Sequence, residues 1–182
     1  EEGLIKKIKS FIFKSFQTNK ELLIGVDLWC NNRLEAGNKY GHISYWDVSK
    51  ITDMSYLFSM KYYFNDDISK WDVSNVTNME CMFEHCYCFN KSINNWDVRK
   101  VETMYGMFSL CLLFNQPLDK WKTESLLEIN EMFENCKEFN QNINSWDVSK
   151  VRSMAWTFKD CVKFNQPLNH WDVSNVENMR HM

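Results

Sequence analysis

Tryptophan recurs at Trp46, Trp71, Trp96, Trp121, Trp146 and Trp171, five successive steps of 25 residues with no insertion or deletion. A fixed period of this length is the signature of a repeat architecture, in which one small unit is stacked on copies of itself. Other apolar residues keep the same step. Ile43, Ile68, Ile93, Leu118, Ile143 and Leu168 stand three residues before each Trp, and Val48, Val73, Val98, Thr123, Val148 and Val173 stand two after it. Ile51, Val76, Val101, Leu126, Val151 and Val176 follow, then Met54, Met79, Met104, Ile129, Met154 and Met179. Phe58, Phe83, Phe108, Phe133 and Phe158 make a further column, and Phe64, Phe89, Phe114, Phe139 and Phe164 another. A 25-residue unit cannot bury an apolar face alone, so each column must become a file of like side chains running through the interior. Spaced as neighbouring strands are, ~4.8 Å apart, six units would stack to about 25 to 30 Å.

Within a unit, the stretch Phe-Asn-x-x-Ile-x-x-Trp-x-Val is apolar at short irregular intervals and carries β-branched residues, which predicts an extended strand and a bend. The next segment, Val76-Thr77-Asn78-Met79-Glu80-Cys81-Met82-Phe83 in the second copy, spaces its apolar residues three and then three or four apart. That predicts a helix of one to two turns or a 3₁₀ segment, capped by Asp72 or Ser74. Parallel strands on one face and short helices on another make an α/β fold: a right-handed leucine-rich-repeat-like solenoid of six 25-residue coils with an N-terminal helical cap. The alternative is an all-β solenoid in which the helical segment is only a turn.

The string Phe164-Asn165-Gln166-Pro167-Leu168-Asn169-His170-Trp171-Asp172-Val173-Ser174-Asn175-Val176 resembles the 25-residue repeat of BspA-like leucine-rich-repeat surface proteins. The same repeat is known from mycoplasma-type lipoproteins and from proteins of large DNA viruses and protists. The pattern Val-x-x-Met-x-x-Met-Phe-x-x-Cys is also similar to the Val-x-x-Ile-x-x-x-Ala-Phe-x-x-Cys of treponemal-type leucine-rich repeats. The resemblance covers residues 39–182. It implies a solenoid used for adhesion or protein association, commonly on a cell or particle surface, with no enzymatic role established for the repeat. The fourth copy departs from it, with Trp121-Lys122-Thr123-Glu124 in place of Trp-Asp-Val-Ser, and leaves the bend geometry there open.

Residues 1–38 lie outside the repeat and are expected to form the cap, with residues 39–182 forming the coils. Leu4, Ile5, Ile8, Phe11, Ile12 and Phe16 make an apolar stripe at helical spacing, with Lys6, Lys7, Lys9 and Lys14 elsewhere on the surface. Thr18-Asn19-Lys20-Glu21 has capping-box spacing ahead of Leu22, Leu23, Val26, Leu28, Trp29 and Cys30. The first helix could also dock on an anionic membrane surface, but covering the end of the stack already accounts for its apolar stripe. The chain stops at Met182, before the Phe and Cys columns of the sixth coil, so further repeats are expected in the complete protein. Otherwise the open end would meet a partner or another copy end to end.

The balance of 21 basic and 24 acidic residues gives a formal charge of −3, which rules out a polyelectrolyte tail. Setting the lysine-rich first helix aside leaves the repeats acidic, so phosphate-driven nucleic-acid binding has little support. No apolar run reaches the roughly 18 residues of a membrane helix, and no secretion signal opens the chain. No Ser-His-Asp or Cys-His arrangement has nucleophile-elbow context, and no glycine loop could cradle a phosphate, so neither catalytic residues nor a cofactor is expected.

Cys86, Cys111, Cys136 and Cys161 occupy one column and read as small buried hydrophobes. Their parallel side-chain vectors do not favour a relaxed disulfide. An odd count of 7 cysteines and a buried column argue for a reducing compartment, intracellular or virion, while the family resemblance allows a surface location. Cys81, His85, Cys86 and Cys88 are the one local cluster with metal-ligand chemistry, but zinc needs four convergent donors and Cys86 belongs to the interior column. No metal is expected. Asp47, Asp72, Asp97, Asp147 and Asp172 read as bend carboxylates accepting nearby backbone N–H groups. A calcium bridge lacks the glycine-rich turns it would need, and identical aligned carboxylates supply no acid–base pair. Asn65, Asn90, Asn115, Asn140 and Asn165 are expected to hydrogen-bond backbone groups of adjoining coils. Asn90-Lys91-Ser92 matches the glycosylation acceptor pattern but falls in that column, which leaves Asn75-Val76-Thr77 as an acceptor in a secreted protein.

The variable positions remain. Tyr56, Tyr62, Tyr63, Tyr87, Leu110, Leu112 and Leu113 fall outside the main columns of the first three coils, and the matching sites later hold Glu131, Lys137, Glu138 and Lys163. If exposed, they form an aromatic-rich patch of the kind that serves as an interface. In the opposite reading the column of Tyr62, Tyr87, Leu112 and Val162 points inward, against which Lys137 in the same column stands. The expected function is a non-enzymatic repeat scaffold for protein–protein interaction or assembly, as a surface or virion component. A cell-surface adhesin recognising host protein or glycan is the alternative, and a metal-dependent hydrolase a distant third.

Overall fold

The computed structural model describes residues 14–182. The amphipathic helix expected over residues 4–16, and with it the membrane-docking reading, lies outside the described residues up to residue 13. The part that is described is extended: Ser15 forms a parallel bridge with Asp47, and the Phe16 amide donates to the Asp47 carbonyl at 2.9 Å.

Helix α1 spans Asn19–Asn31. Thr18 caps it by accepting the Glu21 amide at 3.2 Å, and the Glu21 carboxylate reaches back to the Gln17 amide at 2.8 Å. Its inner face buries Leu22, Gly25, Val26 and Trp29. Glycine is required at position 25, because a Cβ there would stand 2.8 Å from the Phe16 ring. Helix α2, Arg33–Tyr40, starts at once, with Asn32 accepting the Glu35 amide at 3.2 Å. A single 3₁₀ turn, Ile43–Tyr45, leads into the repeats. Phe16, Tyr40, Trp29 and Trp46 pack ring against ring, with Phe16 and Trp46 at 4.9 Å, and join the helices to the first coil.

The coils, counted from residue 39 in steps of 25, lie one on another. The Phe83 ring stacks on Phe58 at 5.3 Å and on Phe108 at 5.7 Å, and the column continues through Phe133 to Phe158. Phe64, Phe89, Phe114, Phe139 and Phe164 form a second file at 5.8 to 6.0 Å. The six indoles make a third column, in which Trp121 and Trp146 lie 5.8 Å apart. Each indole from Trp71 onward donates its Nε1–H to a carbonyl 28 residues back: Trp71 to Ile43, Trp96 to Ile68, Trp121 to Ile93, Trp146 to Leu118 and Trp171 to Ile143. Trp46, in the first coil, donates to the Gly41 carbonyl instead.

The local structure corrects the α/β leucine-rich-repeat-like solenoid, and with it the leucine-rich-repeat description of the chain. Among the described residues there is no β-strand, and the α-helices are confined to Asn19–Asn31 and Arg33–Tyr40. Adjacent coils share one parallel bridge each, the series Asp53, Asn78, Thr103, Glu128, Ser153 and Asn178. The all-β alternative fails for the same want of strands, although the segment expected as a helix is indeed built from turns. The bridge does not lengthen because turns close on either side of it, with the Val76 amide bonded to Val73 and the Met82 amide to Met79.

A helix does not form because left-handed residues interrupt it. Tyr56 and Met60, Cys81 and His85, Gly106 and Leu110, Glu131 and Asn135, and Trp156 and Asp160 have φ between 48° and 61°. Each one breaks the right-handed winding after a single turn and sends the next amides sideways. The amides of Met79, Cys81, Phe83 and His85 donate to Thr103, Tyr105, Met107 and Ser109 in the following coil, at 2.8 to 3.0 Å. Backbone polarity is satisfied between coils rather than along a helix axis.

Candidate functional site

Most chemistry-bearing columns are consumed by the stack. The amides of Asn90, Asn115, Asn140 and Asn165 each donate to the side-chain oxygen of the Asn one coil back, beginning with Asn65, at 2.9 to 3.0 Å. Gln116, Gln141 and Gln166 add a second donor to the same oxygens. The thiols of Cys86, Cys111, Cys136 and Cys161 donate to the carbonyls of Phe58, Phe83, Phe108 and Phe133 at 2.7 to 3.0 Å. Burial pushes Cys161 up to about 12 and holds Cys111 and Cys136 well above the ordinary thiol value of 9.0, so none is a nucleophile near neutrality.

The local metal-type cluster does not converge. Cys86 is taken by its carbonyl, the His85 Nδ1 lies 3.3 Å from the Tyr87 hydroxyl, and among the described residues no three His, Cys, Asp or Glu side chains are placed to hold an ion. The aspartates accept the amide two residues on, as in Asp47 to Ser49, Asp72 to Ser74 and Asp147 to Ser149. In the fourth coil, where Lys122 replaces Asp, the turn persists. The Leu126 amide bonds Thr123 at 3.0 Å, and the buried Thr123 hydroxyl donates to the Asp147 carbonyl. Asn75 is exposed, but its amide donates to the Ser49 carbonyl.

What the stack leaves free is an edge. Tyr63 is 86% exposed, Tyr62 42% and Leu113 50%, while Tyr87, Leu110 and Leu112 are half-buried. Tyr62 stacks on Tyr87 at 5.1 Å and 18°, ring over ring along the surface. Their column does not point inward, since its member in the fifth coil, Val162, is 73% exposed. Tyr56 stands four residues before Met60, its hydroxyl bonded to Glu80 at 2.6 Å, and is half-exposed. Met60, 60% exposed, belongs to the edge and was missed by sequence reasoning, although it shares a column with Leu110. The second coil contributes the half-buried His85, Tyr87 and Cys88, so the exposed apolar side chains of the edge lie on the first and third coils, with Val162 on the fifth. In the fourth and fifth, Lys137, Glu138, Asp160 and Lys163 take these positions, and Lys163 pairs with Glu138.

At the first coil the edge opens into a cleft of about 240 Å³ lined by Cys30, Arg33, Met60, Lys61, Tyr63 and Phe64. Both cations at its rim are paired, Arg33 with Asp66 at 2.7 Å and Lys61 with Asp27 at 2.5 Å. Asp66 also accepts the Trp29 indole N–H at 2.9 Å. These partners join the two helices to the repeats, and they depend on Lys61 standing where later coils have Cys, and Asp66 where they have Lys or Gln.

The molecule defined by these features is a stacked-repeat protein whose Asn, Asp and Cys columns are hydrogen-bonded within the stack. The chain belongs to the family described as Mycoplasma protein of unknown function, DUF285, whose model matches residues 30–134 and again 114–182. Comparison with curated proteins and with solved structures gives no match. Among the described residues no helix is long and apolar enough to cross a membrane.

Proposed function

We propose that this protein is a non-enzymatic scaffold that binds another protein through the edge formed by Met60, Tyr62, Tyr63, Tyr87 and Leu113, as a surface or virion component. The observation that carries the reading is the contiguity of that edge. Met60, Tyr62 and Tyr63 stand in solvent on the first coil and Leu113 on the third, joined by the half-buried Tyr87 on the second, and the column of Tyr63 and Leu113 turns charged at Glu138 and Lys163. Exposed aromatic and methionine side chains are enriched at interface cores, and a fold with free choice at these positions has no packing reason to keep them. Affinity capture by the full chain, compared with a Tyr63→Glu, Leu113→Glu variant of unchanged melting temperature, tests it. A partner retained by the native chain and lost by the variant supports the reading, and equal retention refutes it.

The likeness of the 25-residue repeat to that of BspA-like surface proteins favours a second reading, a cell-surface adhesin for host protein or glycan. Binding of the purified chain to intact host cells separates the two readings, because an adhesin is retained on them and a scaffold for the source's own proteins is not.

A further inference from the structure

The dimensions of the edge narrow the kind of partner it fits, on the reading that it is a protein-binding face. Successive coils are 5.1 Å apart measured between Tyr62 and Tyr87, and 5.3 and 5.7 Å apart through Phe58, Phe83 and Phe108. An extended chain advances about 6.5 Å for every two residues and places alternate side chains on one face. Laid along the stack, such a chain overshoots each coil by about 1 Å, so over three coils it sets one side chain near each. The edge runs from Met60, Tyr62 and Tyr63 on the first coil over the half-buried Tyr87 on the second to Leu113 on the third, and Lys137 and Glu138 follow on the fourth.

Two further observations limit the occupant. Met60, Tyr62, Tyr63 and Leu113 together expose on the order of 500 Å², below the roughly 800 Å² per partner that a stable pair of copies buries. The cleft beside Arg33, at about 240 Å³, has both its cations already ion-paired, so it offers no unbalanced charge to an acidic ligand. It is also smaller than the roughly 300 to 1,000 Å³ of most small-molecule sites. It is the size of a pocket for one neutral side chain.

We infer that the edge takes an extended segment of a partner protein carrying three large apolar side chains at alternate positions, the first seated in the cleft between Arg33 and Tyr63 and the third against Leu113. The coil spacing sets the register, and Tyr62 stacked on Tyr87 forms the floor for the middle side chain. Met60 at the cleft mouth adapts to the shape of the anchor.

The test is selection of a phage-displayed library of random 12-residue peptides on the full chain. Fluorescence anisotropy with the synthetic winners then compares native protein with Tyr63→Glu and, separately, Leu113→Ser, each checked for an unchanged melting curve. The expected winners carry apolar residues at i, i+2 and i+4. They lose at least tenfold in affinity with either variant, and again when the middle apolar residue is moved by one position. Winners with apolar residues at i, i+3, i+4 and i+7 would mean a helical partner and overturn the inference. So would an absence of winners, winners indifferent to both variants, or a native dimer that Tyr63→Glu converts to monomer. If a partner protein is lost with Tyr63→Glu while no alternating peptide binds, this inference fails and the scaffold reading stands. If capture is indifferent to Tyr63→Glu, both fail.

Discussion

The Cys111 thiol donates to the Phe83 carbonyl at 3.0 Å, 28 residues back along the chain and one coil down the stack. The same carbonyl also accepts the Cys86 amide at 2.9 Å, so the thiol adds a second bond rather than the first. Cys111→Ala should cost about 1 to 2 kcal/mol, the sum of one modest hydrogen bond and a small void. Urea unfolding gives the value, and a neutral result would mean that the thiol is only filler.

The interior thiols also set the response to pH. Burial raises Cys161, Cys111 and Cys136 above the ordinary 9.0, so the native state keeps protons that the unfolded chain gives up. The stability they confer is complete below pH 9.0 and is lost as pH rises beyond it. Asp47 and Asp147 work in the opposite sense. Their carboxyls are held below 3.8, first by the Ser49 and Ser149 hydroxyls, and their contribution is lost as pH falls through the native value. Urea midpoints should be level from about pH 5 to 8, fall gently in acid and fall steeply in alkali. A midpoint that climbs above pH 9 would contradict this, as would rapid alkylation of Cys111 in the native protein at neutral pH.

Left-handed backbone at Asp160, φ 59°, sits on the surface of the fifth coil. Asp160→Gly should be neutral or stabilise, whereas Asp160→Val should cost about 1 to 2 kcal/mol, because a β-branched side chain is strained at positive φ. Gly106→Ala combines φ 55° with a Cβ 3.0 Å from the Cys81 sulfur and should cost at least as much. Thermal melts of the three variants give the order, and a stable Asp160→Val would mean the turn is not left-handed.

Asp66 holds both the Trp29 indole and the Arg33 guanidinium. Asp66→Ala should cost about 1 to 3 kcal/mol by leaving the indole N–H without its partner. Removal of an exposed pair such as Arg152 and Glu177 should cost under about 1 kcal/mol. Hydrogen exchange should then show α1 and α2 opening before the coils. Simultaneous exchange of helices and coils would mean that this contact is not what holds the helices to the stack.

Some of this was legible in the residues. The Trp, Phe and Asn columns follow from the 25-residue period, and Thr18 announces the start of α1. Helix α2 was overlooked although Asn32-x-x-Glu35 repeats the capping spacing seen at Thr18. The turns misread as helix have a physical cause. Met79, Met82 and Phe83 follow helical spacing, because turns closed by i to i+3 bonds return side chains to one face much as a helix does. Most of the residues that break the helix carry little warning, for Tyr56, Met60, Cys81 and Leu110 are not types that favour positive φ, and only Gly106, Asn135 and Asp160 hint at it. Strands were expected from Ile and Val, which instead fill corners between turns. The edge could be named but not oriented, because a column holding Tyr62, Leu112 and Lys137 reads equally as core or surface.

The claim on which all else depends is that residues 25 apart lie directly over one another. In nuclear Overhauser spectra the Trp121 indole N–H should show contacts to the backbone at Ile93, 28 residues earlier, and the Phe83 and Phe108 rings should contact each other. The same pairs should recur one coil up and one coil down. Indole contacts confined to residues near in sequence, with no cross-peaks between rings 25 apart, would contradict the stacked arrangement.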